Sequence, residues 1–493
     1  MDKSEEYEVK VFNINYILIA SIVSLLNSLY YANFPIMCLL AAVQIFLLIR
    51  CLIKGQDVKY LCLYVIFLST SMESALFVGV DKFYGFKEFK IAGINLGVIF
   101  ILLPFLKFII NGSIQNPFKT KGYTGVFIKG VYILTPVAFF MGLFCLLIND
   151  NNILSKITSF SMFIDASYMF ILVAIEVLVI YTIVKHNLKE INEIKQCLLA
   201  IIVSLAVTLV SSLLFGNYGN RGGLPSLQVS NIIMLLICTI LLPFYKDYNK
   251  KMKVILVLIT GTVLILGLIY NTNGKMILTA MLVPMAILII QLRRKRYIAT
   301  FFTLIIGFFT IYLSLKFIVP SISGNSFLFS TKLEQASSMF LFGSGWLDNM
   351  PSSPKMRITQ IFNITSEYFE KPWFVLTGKG YLGTIQDNLS LFIGADEFAY
   401  SAWQLNNGLY YMMHETFNTL YLTNGVIGLV FFVWMFKIII SKFHKSPWMM
   451  IGGFWFLLFY SYSVTISIFG VTALIIGLLD LDKEKISCKE KSE

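Results

Sequence analysis

Long apolar runs separated by short polar loops make up most of this chain. The runs are about 20 residues long, the length that a helix needs to cross a hydrocarbon core of about 30 Å. One stretch differs: residues 320–414 form the only long polar segment, and further apolar runs follow it. The pattern predicts an all-α, polytopic transmembrane helical bundle of about 12–14 spans with one large loop.

The apolar runs also define the predicted domains. About eleven spans precede the loop, at 11–30, 34–53, 60–80, 91–110, 126–148, 162–184, 197–216, 229–245, 253–270, 276–292 and 297–319. After the loop come 417–441 and the long run 447–481, which we divide near Ser463 because the charge pattern favours an even count of spans. The predicted domains are an N-terminal transmembrane bundle at 1–319, the loop at 320–414, C-terminal transmembrane helices at 415–481 and a tail at 482–493.

Basic residues collect in alternate loops, as expected when cytoplasmic loops hold an excess of Lys and Arg. With a cytoplasmic N-terminus, the inside loops hold basic clusters such as those at 246–253 and 293–296. The short outside loops hold at most one basic residue each, apart from the loop at 81–90. This predicts that both termini are cytoplasmic and that the large loop is extracytoplasmic. The run 60–80 contains Ser69, Ser71 and Glu73 and is also compatible with a re-entrant segment.

Composition excludes the soluble class. Of the 493 residues, 57% are hydrophobic and 13% are charged, and the mean hydropathy is +0.77, whereas soluble domains carry about 25% charged residues. The basic loops account for the net charge of +12, so we expect no nucleic-acid partner. The 7 cysteines show no CxxC spacing and the 3 histidines are scattered, so we expect neither a disulfide framework nor a metal site. The polar start of the chain predicts no cleavable signal peptide.

The large loop contains a predicted amphipathic helix. Ser352-Ser353-Pro354 is typical of a helix start, and Lys371-Pro372 ends the helix. Between them, apolar positions recur at helical spacing and form one face: Ile358, Ile361, Phe362, Thr365, Tyr368 and Phe369. We expect this helix to lie along the outer membrane face, with Arg357 in its first turn. The turn-rich residues 376–383 follow.

His414 and Arg357 are the main candidates for chemistry. His414 lies where the loop meets the next span, and a neutral histidine can accept a proton from a hydroxyl group. The alternative is an interfacial histidine hydrogen-bonded to a loop carbonyl. Arg357 is the only arginine in the loop, and a guanidinium group binds phosphate through two parallel hydrogen bonds. The alternative is a cation that extends to the lipid headgroups.

Two further outer cations and three acids are weaker candidates. Lys275 opens a predicted span, where a phosphate partner would offset its unfavourable position at a helix N-terminus. Arg221 lies in a glycine-rich outer turn whose backbone can approach a ligand closely. The alternative for Lys275 is a lysine at the membrane interface. The alternative for Arg221 is that the surrounding glycines simply form a turn. The acids within predicted spans are Glu73, Asp165 and Glu176, and they lack the paired pattern expected of an ion-coupled transporter.

Three stretches of the chain carry a resemblance to a known family. The first is Thr272-Asn273-Gly274-Lys275 with the apolar span and basic residues 293–296 that follow. The second runs from Lys355-Met356-Arg357-Ile358 to the Gly-x-Gly turn at 376–380. The third runs from His414-Glu415-Thr416-Phe417 to Gly425-Val426-Ile427-Gly428. In their order and spacing they resemble the O-antigen ligase and O-antigen polymerase superfamily of bacterial envelope glycosyltransferases.

The chain departs from that family at three points. Lys275 stands where an arginine is usual, and Glu415 stands where an asparagine is common. The turn around Arg221 fits the family's Arg-Gly-Pro-Asn pattern only loosely. These departures concern the phosphate contacts more than the class of protein.

The resemblance implies a reaction, a site and a location. A glycan carried on undecaprenyl diphosphate is passed to an acceptor hydroxyl with inversion, without a nucleotide sugar, metal or other cofactor. Arg357, Arg221 and Lys275 would bind the diphosphate, and the catalytic residues would be Arg357 and the base His414. The implied partners are the undecaprenyl-diphosphate-linked oligosaccharide, membrane lipid, and flippase and chain-length regulator proteins. The implied location is the bacterial cytoplasmic membrane.

The residues leave four functions open, and one of them, a non-catalytic membrane scaffold, gives no reason for the positions of His414 and Arg357. A polymerase passes the growing chain to another lipid-linked repeat unit of O-antigen, capsule or exopolysaccharide, and we favour it because a divergent chain with this span count is more typical of that branch. A ligase passes the glycan to a different acceptor. A flippase or transporter of lipid-linked oligosaccharide usually has short outer loops and internal repeats, the opposite of the arrangement predicted for this chain.

Overall fold

The structure is a computed structural model that describes a little over half of the chain, and this part is mostly helical. The described residues are 14–30, 33–70, 86, 89–91, 94–119, 122–148, 150, 169–187, 191–215, 219–221, 224–226, 352–392, 400, 402–411, 413 and 416–442, with isolated residues between 254 and 350. Of the predicted site residues, His414 and Lys275 lie outside this set.

The described α-helices follow the apolar runs and part of the polar loop. They are α1 (Ile14–Tyr30), α2 (Phe34–Ile53), α3 (Asp57–Thr70), α4 (Leu96–Ile110), α5 (Gly122–Leu147), α6 (Met169–His186), α7 (Ile191–Leu214), α8 (Ser352–Glu370), α9 (Phe374–Thr377), α10 (Ala402–Asn407) and α11 (Thr416–Lys442). A single 3-10 turn, Pro117–Lys119, precedes α5. The prediction of a helical protein is confirmed in these segments.

Three of these helices contain segments long and apolar enough to cross a membrane: Phe34–Ile53, Gly125–Leu147 and Phe417–Trp434. They correspond to the predicted spans 34–53, 126–148 and 417–441. The predicted spans at 229–245 and 447–481 lie outside the described residues. Those at 253–270, 276–292 and 297–319 are described only at single positions.

Two short antiparallel hairpins occur beside the helices in the described residues. Strand β1 (Lys90–Ile91) pairs with β2 (Ile94–Asn95), and β3 (Gly219–Arg221) pairs with β4 (Leu224–Ser226). Because Ile94 and Asn95 form β2, α4 begins at Leu96, later than the predicted start of the span at 91. Both hairpins fall at predicted outer turns, where glycine and polar residues favour reversal of the chain.

The chain divides into two compact units. One unit contains Met1–Phe89 and Ile183–Ile318, and the other contains Lys90–Thr182 and Val319–Glu493. The predicted domains follow membrane topology, whereas these units follow packing, so the packing does not test the predicted boundaries.

In the first unit, polar groups join helices that are otherwise apolar. The Tyr16 hydroxyl group of α1 donates a hydrogen bond of 2.7 Å to Glu193 Oε2 of α7. The Asn27 side-chain amide of α1 donates to the Thr70 carbonyl oxygen at the end of α3, at 3.1 Å. A buried polar group that keeps a partner avoids the desolvation penalty of an unpaired one, so these bonds select one arrangement of the helices.

In the second unit, α5, α8, α9 and α11 enclose a core. This core includes residues from the described part of the predicted loop. Its buried members are Cys145, Met356, Ile364, Tyr368, Phe374, Ile385, Phe392, Tyr400, Tyr410, Met413, Tyr421 and Leu422. The aromatic rings of Phe392, Tyr400 and Tyr410 lie 4.5–5.0 Å apart between centroids. The described part of the predicted loop is therefore not a loose connection, because residues in 352–392, 400, 402–411 and 413 form much of this core.

Candidate functional site

Helix α8 has the predicted bounds, but its apolar positions do not all lie on one exposed face. It begins at Ser352 and ends at Glu370, directly before Lys371-Pro372, as the sequence predicts. Four of its polar residues face inward and are 0–1% exposed: Thr359, Gln360, Asn363 and Glu367. Tyr368, assigned to the outer apolar face, is instead buried at 1% exposure, whereas Phe369 is 83% exposed. The helix thus contributes its polar side to the site.

Arg357 lies at the end of α8 that adjoins the start of α11. It occupies the second turn rather than the predicted first turn, because the helix already begins at Ser352. Its side chain is half-buried. The backbone carbonyl of Arg357 accepts a hydrogen bond of 2.9 Å from Asn418 Nδ2 of α11, and the same amide donates to Gln360 Oε1 at 2.8 Å.

This amide contact ties together two segments that the sequence singles out. Asn418 is 2% exposed and Gln360 is 0% exposed, so the contact is fully removed from water. A buried amide–amide hydrogen bond contributes about 1 kcal/mol, and breaking it leaves a polar group without a partner at a cost of about 1–3 kcal/mol. The first turns of α11 are therefore held against the helix that carries Arg357.

The Gly378-Lys379-Gly380 turn passes between α5 and α11. The backbone N–H groups of Lys379 and Gly380 donate to the carbonyl oxygens of Leu422 and Thr423 of α11, at 2.8 and 3.1 Å. The next N–H group, from Tyr381, donates to the carbonyl oxygen of Ala138 of α5, at 2.8 Å. Backbone groups of an irregular segment among apolar helices need such partners, because water is excluded there.

Glycine is required where this turn meets the two helices. Gly378 and Gly380 both have φ of 71°, a conformation that side chains disfavour. A Cβ atom on Gly378 would lie 2.6 Å from the Gly425 nitrogen atom, and one on Gly380 would lie 2.1 Å from the Gly142 nitrogen atom. The Gly-x-Gly pattern is therefore explained by close contact of three backbone segments.

Helix α11 is broken at the point of contact. Gly425 has φ 58° and ψ −148°, so two helical segments meet there. The break frees carbonyl groups in the preceding turn, and the Tyr368 hydroxyl group lies 2.6 Å from the Tyr421 carbonyl oxygen and 3.0 Å from that of Leu422. The hydroxyl and the N–H groups of the Gly-x-Gly turn thus replace the missing helical hydrogen bonds.

Four charged side chains form a cluster beside the turn. Lys379 Nζ lies 2.6 Å from Asp150 Oδ2 and 2.9 Å from Glu367 Oε1. Lys371 Nζ donates to Glu367 Oε1 at 2.8 Å and also to Asp150 Oδ1. Asn388 Nδ2 donates to the other carboxylate oxygen of Glu367, at 3.3 Å. We call Asp150, Glu367, Lys371 and Lys379 the charge cluster.

The charge cluster is electrically balanced and largely buried. The side chains of Lys379, Glu367 and Asp150 are 0%, 2% and 7% exposed, and that of Lys371 is 25% exposed. The ammonium group of Lys379 also lies 5.4 Å from the centre of the Phe374 ring, within the range of a cation–π contact. Two positive and two negative charges offset one another. Each charge is therefore tolerated in a buried position only while the others compensate it.

Protonation within the charge cluster follows from its contacts. Burial raises the pKa of the Asp150 carboxyl group, but the hydrogen bonds from Lys371 and Lys379 outweigh burial, and the net pKa lies below its ordinary value. The pKa of the Glu367 carboxyl group is also lowered, because the nearby Lys379 charge and the two lysine hydrogen bonds outweigh burial. Burial lowers the pKa of Lys371, but its bonds to both carboxylates raise the net pKa above its ordinary value.

The position of each predicted site residue can now be stated. Arg357 is placed at the Asn418 contact, in the second compact unit. Arg221 belongs to the first compact unit, where its backbone pairs with Leu224 in the hairpin of β3 and β4. Lys275 and His414 lie outside the described residues. The convergence of the four residues on one diphosphate therefore stays a prediction.

The residues around His414 are nevertheless anchored. Met413, directly before it, is buried at 1% exposure. The Thr419 hydroxyl group donates to the Met413 carbonyl oxygen at 3.4 Å, and Asn418 next to it contacts Arg357. The described chain on both sides of position 414 is thus held within the same core as Arg357.

Sequence reasoning did not assign roles to the charge cluster. Glu367 and Lys371 are four residues apart on one helix and its end, a spacing that indicates an ion pair. Lys379, between two glycines, was included in the resemblance but without a role. No local signal connects Asp150, at the end of α5, with either lysine.

No set of three or more His, Cys, Asp or Glu side chains with the arrangement of a metal site occurs among the described residues. The two carboxylates of the charge cluster are instead occupied by lysine ammonium groups. The described site therefore offers hydrogen bonding, charge and a rigid backbone.

Comparison with protein-family models, curated proteins and solved structures found no match to this chain. What the described residues establish is a mostly helical protein with three helices long and apolar enough to cross a membrane. In one of its compact units, a broken helix, a Gly-x-Gly turn and a buried charge cluster are joined.

Proposed function

We propose that this chain is a multi-pass protein of a bacterial cytoplasmic membrane that polymerises lipid-linked oligosaccharide repeat units. The membrane location is supported by the three long apolar helices and by a composition with 57% hydrophobic residues. The alternation of basic loops supports about 12–14 spans, cytoplasmic termini and an extracytoplasmic position for 320–414.

One observation carries the proposed activity: the hydrogen bond from Asn418 Nδ2 to the Arg357 carbonyl oxygen. Arg357 belongs to the second stretch of the family resemblance, and Asn418 follows His414 in the third. The Gly-x-Gly turn and Gly425, which belong to the same two stretches, also touch each other. Motifs that are separate in the sequence are therefore adjacent in the fold, as a shared site requires.

The proposed reaction uses an oligosaccharide on undecaprenyl diphosphate as donor. A hydroxyl group of the acceptor repeat unit attacks the anomeric carbon, a new glycosidic C–O bond forms, and the bond from that carbon to the diphosphate oxygen breaks. His414 takes the proton of the acceptor hydroxyl. Arg357, with Arg221 and Lys275, stabilises the negative charge that develops on the leaving diphosphate. Flippase and chain-length regulator proteins are the proposed partners.

The fold supplies rigidity for this role. Preorganised charges stabilise a transition state most effectively when they need not move during the reaction. The Asn418 contact and the charge cluster both fix the ends of α8. They hold the helix that carries Arg357 at its start and at its end.

Glycan chain length in a deletion strain tests this proposal. The strain is complemented with wild type, His414→Ala or Arg357→Ala, and the amount of protein in the membrane is measured in parallel. Matched controls are His186→Ala and Lys355→Ala, which remove a histidine and a basic residue without an assigned role. The proposal predicts long polymer with wild type and both controls, and single repeat units on the lipid carrier with His414→Ala and Arg357→Ala.

Other outcomes separate the alternatives. Long polymer that stays on its lipid carrier in the deletion strain indicates a ligase. Repeat units that remain on the cytoplasmic side of the membrane indicate a flippase. Normal polymer from well-expressed His414→Ala and Arg357→Ala variants refutes the proposed catalytic roles.

A further inference from the structure

Four large apolar side chains lie exposed along α8, α9 and the turn between them. Phe362 is 43% exposed, Phe369 83%, Trp373 54% and Leu376 62%. We call these four residues the outer apolar surface. They lie within the predicted extracytoplasmic loop, where such a set of exposed aromatic and aliphatic side chains indicates an interaction site.

The polar residues on the inward side of α8 indicate which surroundings the outer apolar surface fits. A helix on the surface of a soluble protein turns its apolar residues inward and its polar residues outward. In α8, the inward side carries the polar Asn363 and Glu367, at 0% and 1% exposure, beside the apolar Ile364 and Tyr368, while Phe369 is largely exposed. Polar groups turned inward and apolar groups turned outward are expected where the surroundings are hydrocarbon.

The outer apolar surface is joined to an apolar helix that is long enough to cross a membrane. The Phe374 ring of α9 lies 6.2 Å from the Phe144 ring of α5. The last turns of α5 expose a series of large apolar residues: Phe139, Phe140, Leu143, Phe144 and Leu147. The buried Phe374 thus connects α9 to the helix that carries these exposed apolar residues.

The end of α8 indicates how deep this surface lies. Glu370 is exposed directly beside Phe369, and Lys371 is 25% exposed beside Trp373. An exposed carboxylate is costly in hydrocarbon but not among headgroups. Tryptophan is enriched at the boundary between headgroups and acyl chains. These residues fit the membrane interface rather than its centre.

We propose that the outer apolar surface binds the lipid bilayer at the boundary between headgroups and acyl chains. Helices α8 and α9 lie in the interface, and the Gly378-Lys379-Gly380 turn enters the protein between α5 and α11 from that level. The partner is the lipid bilayer itself. This inference rests on the membrane location in the proposed function but not on the proposed reaction.

Tryptophan fluorescence of the full-length chain in phosphatidylcholine vesicles tests the surface. The difference between wild type and Trp373→Phe gives the emission of Trp373. We expect lipids brominated on the acyl chain to remove most of this emission, and aqueous iodide to leave it nearly unchanged. In the Trp373→Phe background, Phe369→Trp should be quenched in the same way.

Ser390→Trp in that background is the control, because Ser390 is exposed on the polar segment after the turn. Its added emission should be quenched by iodide and not by brominated lipid. Quenching of Trp373 and Phe369→Trp by iodide overturns the inference, and so does quenching by neither agent, which indicates a protein partner. Failure of the chain to integrate into vesicles overturns the membrane location as well. This fluorescence measurement does not depend on glycan chain length. The proposed reaction can therefore be refuted while lipid binding by the outer apolar surface is supported.

Discussion

The ammonium group of Lys379 lies 2.9 Å from Glu367 Oε1 with no exposure of the lysine side chain to solvent. This contact joins the Gly-x-Gly turn to the end of α8. The backbone N–H group of Lys379 binds Leu422 of α11, and its carbonyl oxygen accepts a hydrogen bond from the Cys145 thiol of α5 at 3.1 Å. A single residue thus contacts α5, α8 and α11 through separate groups.

Replacing Lys379 with methionine should destabilise the protein strongly. Lys379→Met removes one positive charge and leaves two carboxylates with only Lys371, so one buried negative charge is uncompensated. The expected cost is about 3–5 kcal/mol in the free energy of unfolding, measured as the thermal midpoint of the detergent-solubilised protein. Lys371→Met should cost less, because its side chain is 25% exposed and water screens the remaining charges.

A double variant checks the electrostatic cause. Lys379→Met with Glu367→Gln restores balance, because Asp150 and Lys371 then remain as one pair. This protein should be more stable than Lys379→Met alone. A double variant that is less stable by the sum of both single losses would show that charge balance is not the reason.

Alanine at Gly378 should cost more than alanine at Gly408. Both glycines have positive φ, 71° and 60°, so both substitutions carry a conformational cost of about 1–3 kcal/mol. A Cβ atom at Gly408 meets nothing within 4 Å, whereas at Gly378 it lies 2.5 Å from the Asn424 nitrogen atom. Overpacking of this kind adds about 1–3 kcal/mol. Equal thermal midpoints for the two variants would contradict the close approach of the turn to α11.

Stability should depend on pH at both ends of the scale. The carboxyl pKa values of Asp150 and Glu367 lie below their ordinary values of 3.8 and 4.5. Their contribution is therefore complete above those ordinary values and is lost as the pH falls through the lowered pKa values. The pKa of Lys371 lies above 10.5, so its contribution is complete below that pH and is lost as the pH rises through the raised pKa.

The charge cluster should therefore cause little change in the thermal midpoint between about pH 5 and about pH 10. Glu367→Gln is the check at the acid end. The difference in midpoint between wild type and this variant should shrink as the pH falls below 4.5, because protonation removes the charge that glutamine lacks. A difference that stays constant down to low pH would contradict the lowered pKa of Glu367.

Removing the Asn418 amide should reduce activity while the protein still folds. Asn418→Ala breaks the hydrogen bonds to the Arg357 carbonyl group and to Gln360, at a cost of about 1–3 kcal/mol. Under the proposed function, glycan chains in the complemented strain should become shorter while the protein remains in the membrane. The matched control is Asn407→Ala, since the Asn407 amide donates only within its own helix, to the Trp403 carbonyl group. Equal chain lengths for the two variants would remove the assigned role of Asn418.

Much of the described helical content could be read from hydrophobic periodicity alone. The predicted span 34–53 coincides with α2, and the bounds of α8 follow from Ser352-Ser353-Pro354 and Lys371-Pro372. These signals are local: apolar length, helix caps and proline act within a few residues of where they stand. The hairpin that delays α4 was missed, because its two-residue strands are too short to show an alternating pattern.

The surroundings of α8 show what local reasoning cannot decide. Its apolar residues form a stripe at helical spacing, and a stripe alone does not tell whether it faces protein or lipid. Three polar residues of α8 face inward: Gln360, Asn363 and Glu367. They do so because their hydrogen-bond partners lie on that side, and these partners are Asn418, Asp387 and Lys379. Those partners come from other elements, so the direction of the helix depends on contacts that one segment cannot encode.

The sequence by itself determined the helical class, the positions of the described apolar helices and the motifs around Arg357, His414 and Gly425. It could do so because hydrophobic length, charge distribution and turn residues are properties of adjacent positions. Only the tertiary structure decided that Gly378 touches Gly425 and that Lys379 is paired with Asp150 and Glu367. Those contacts join residues far apart in the chain, and their energy comes from excluding water from charges and backbone groups once the helices have packed.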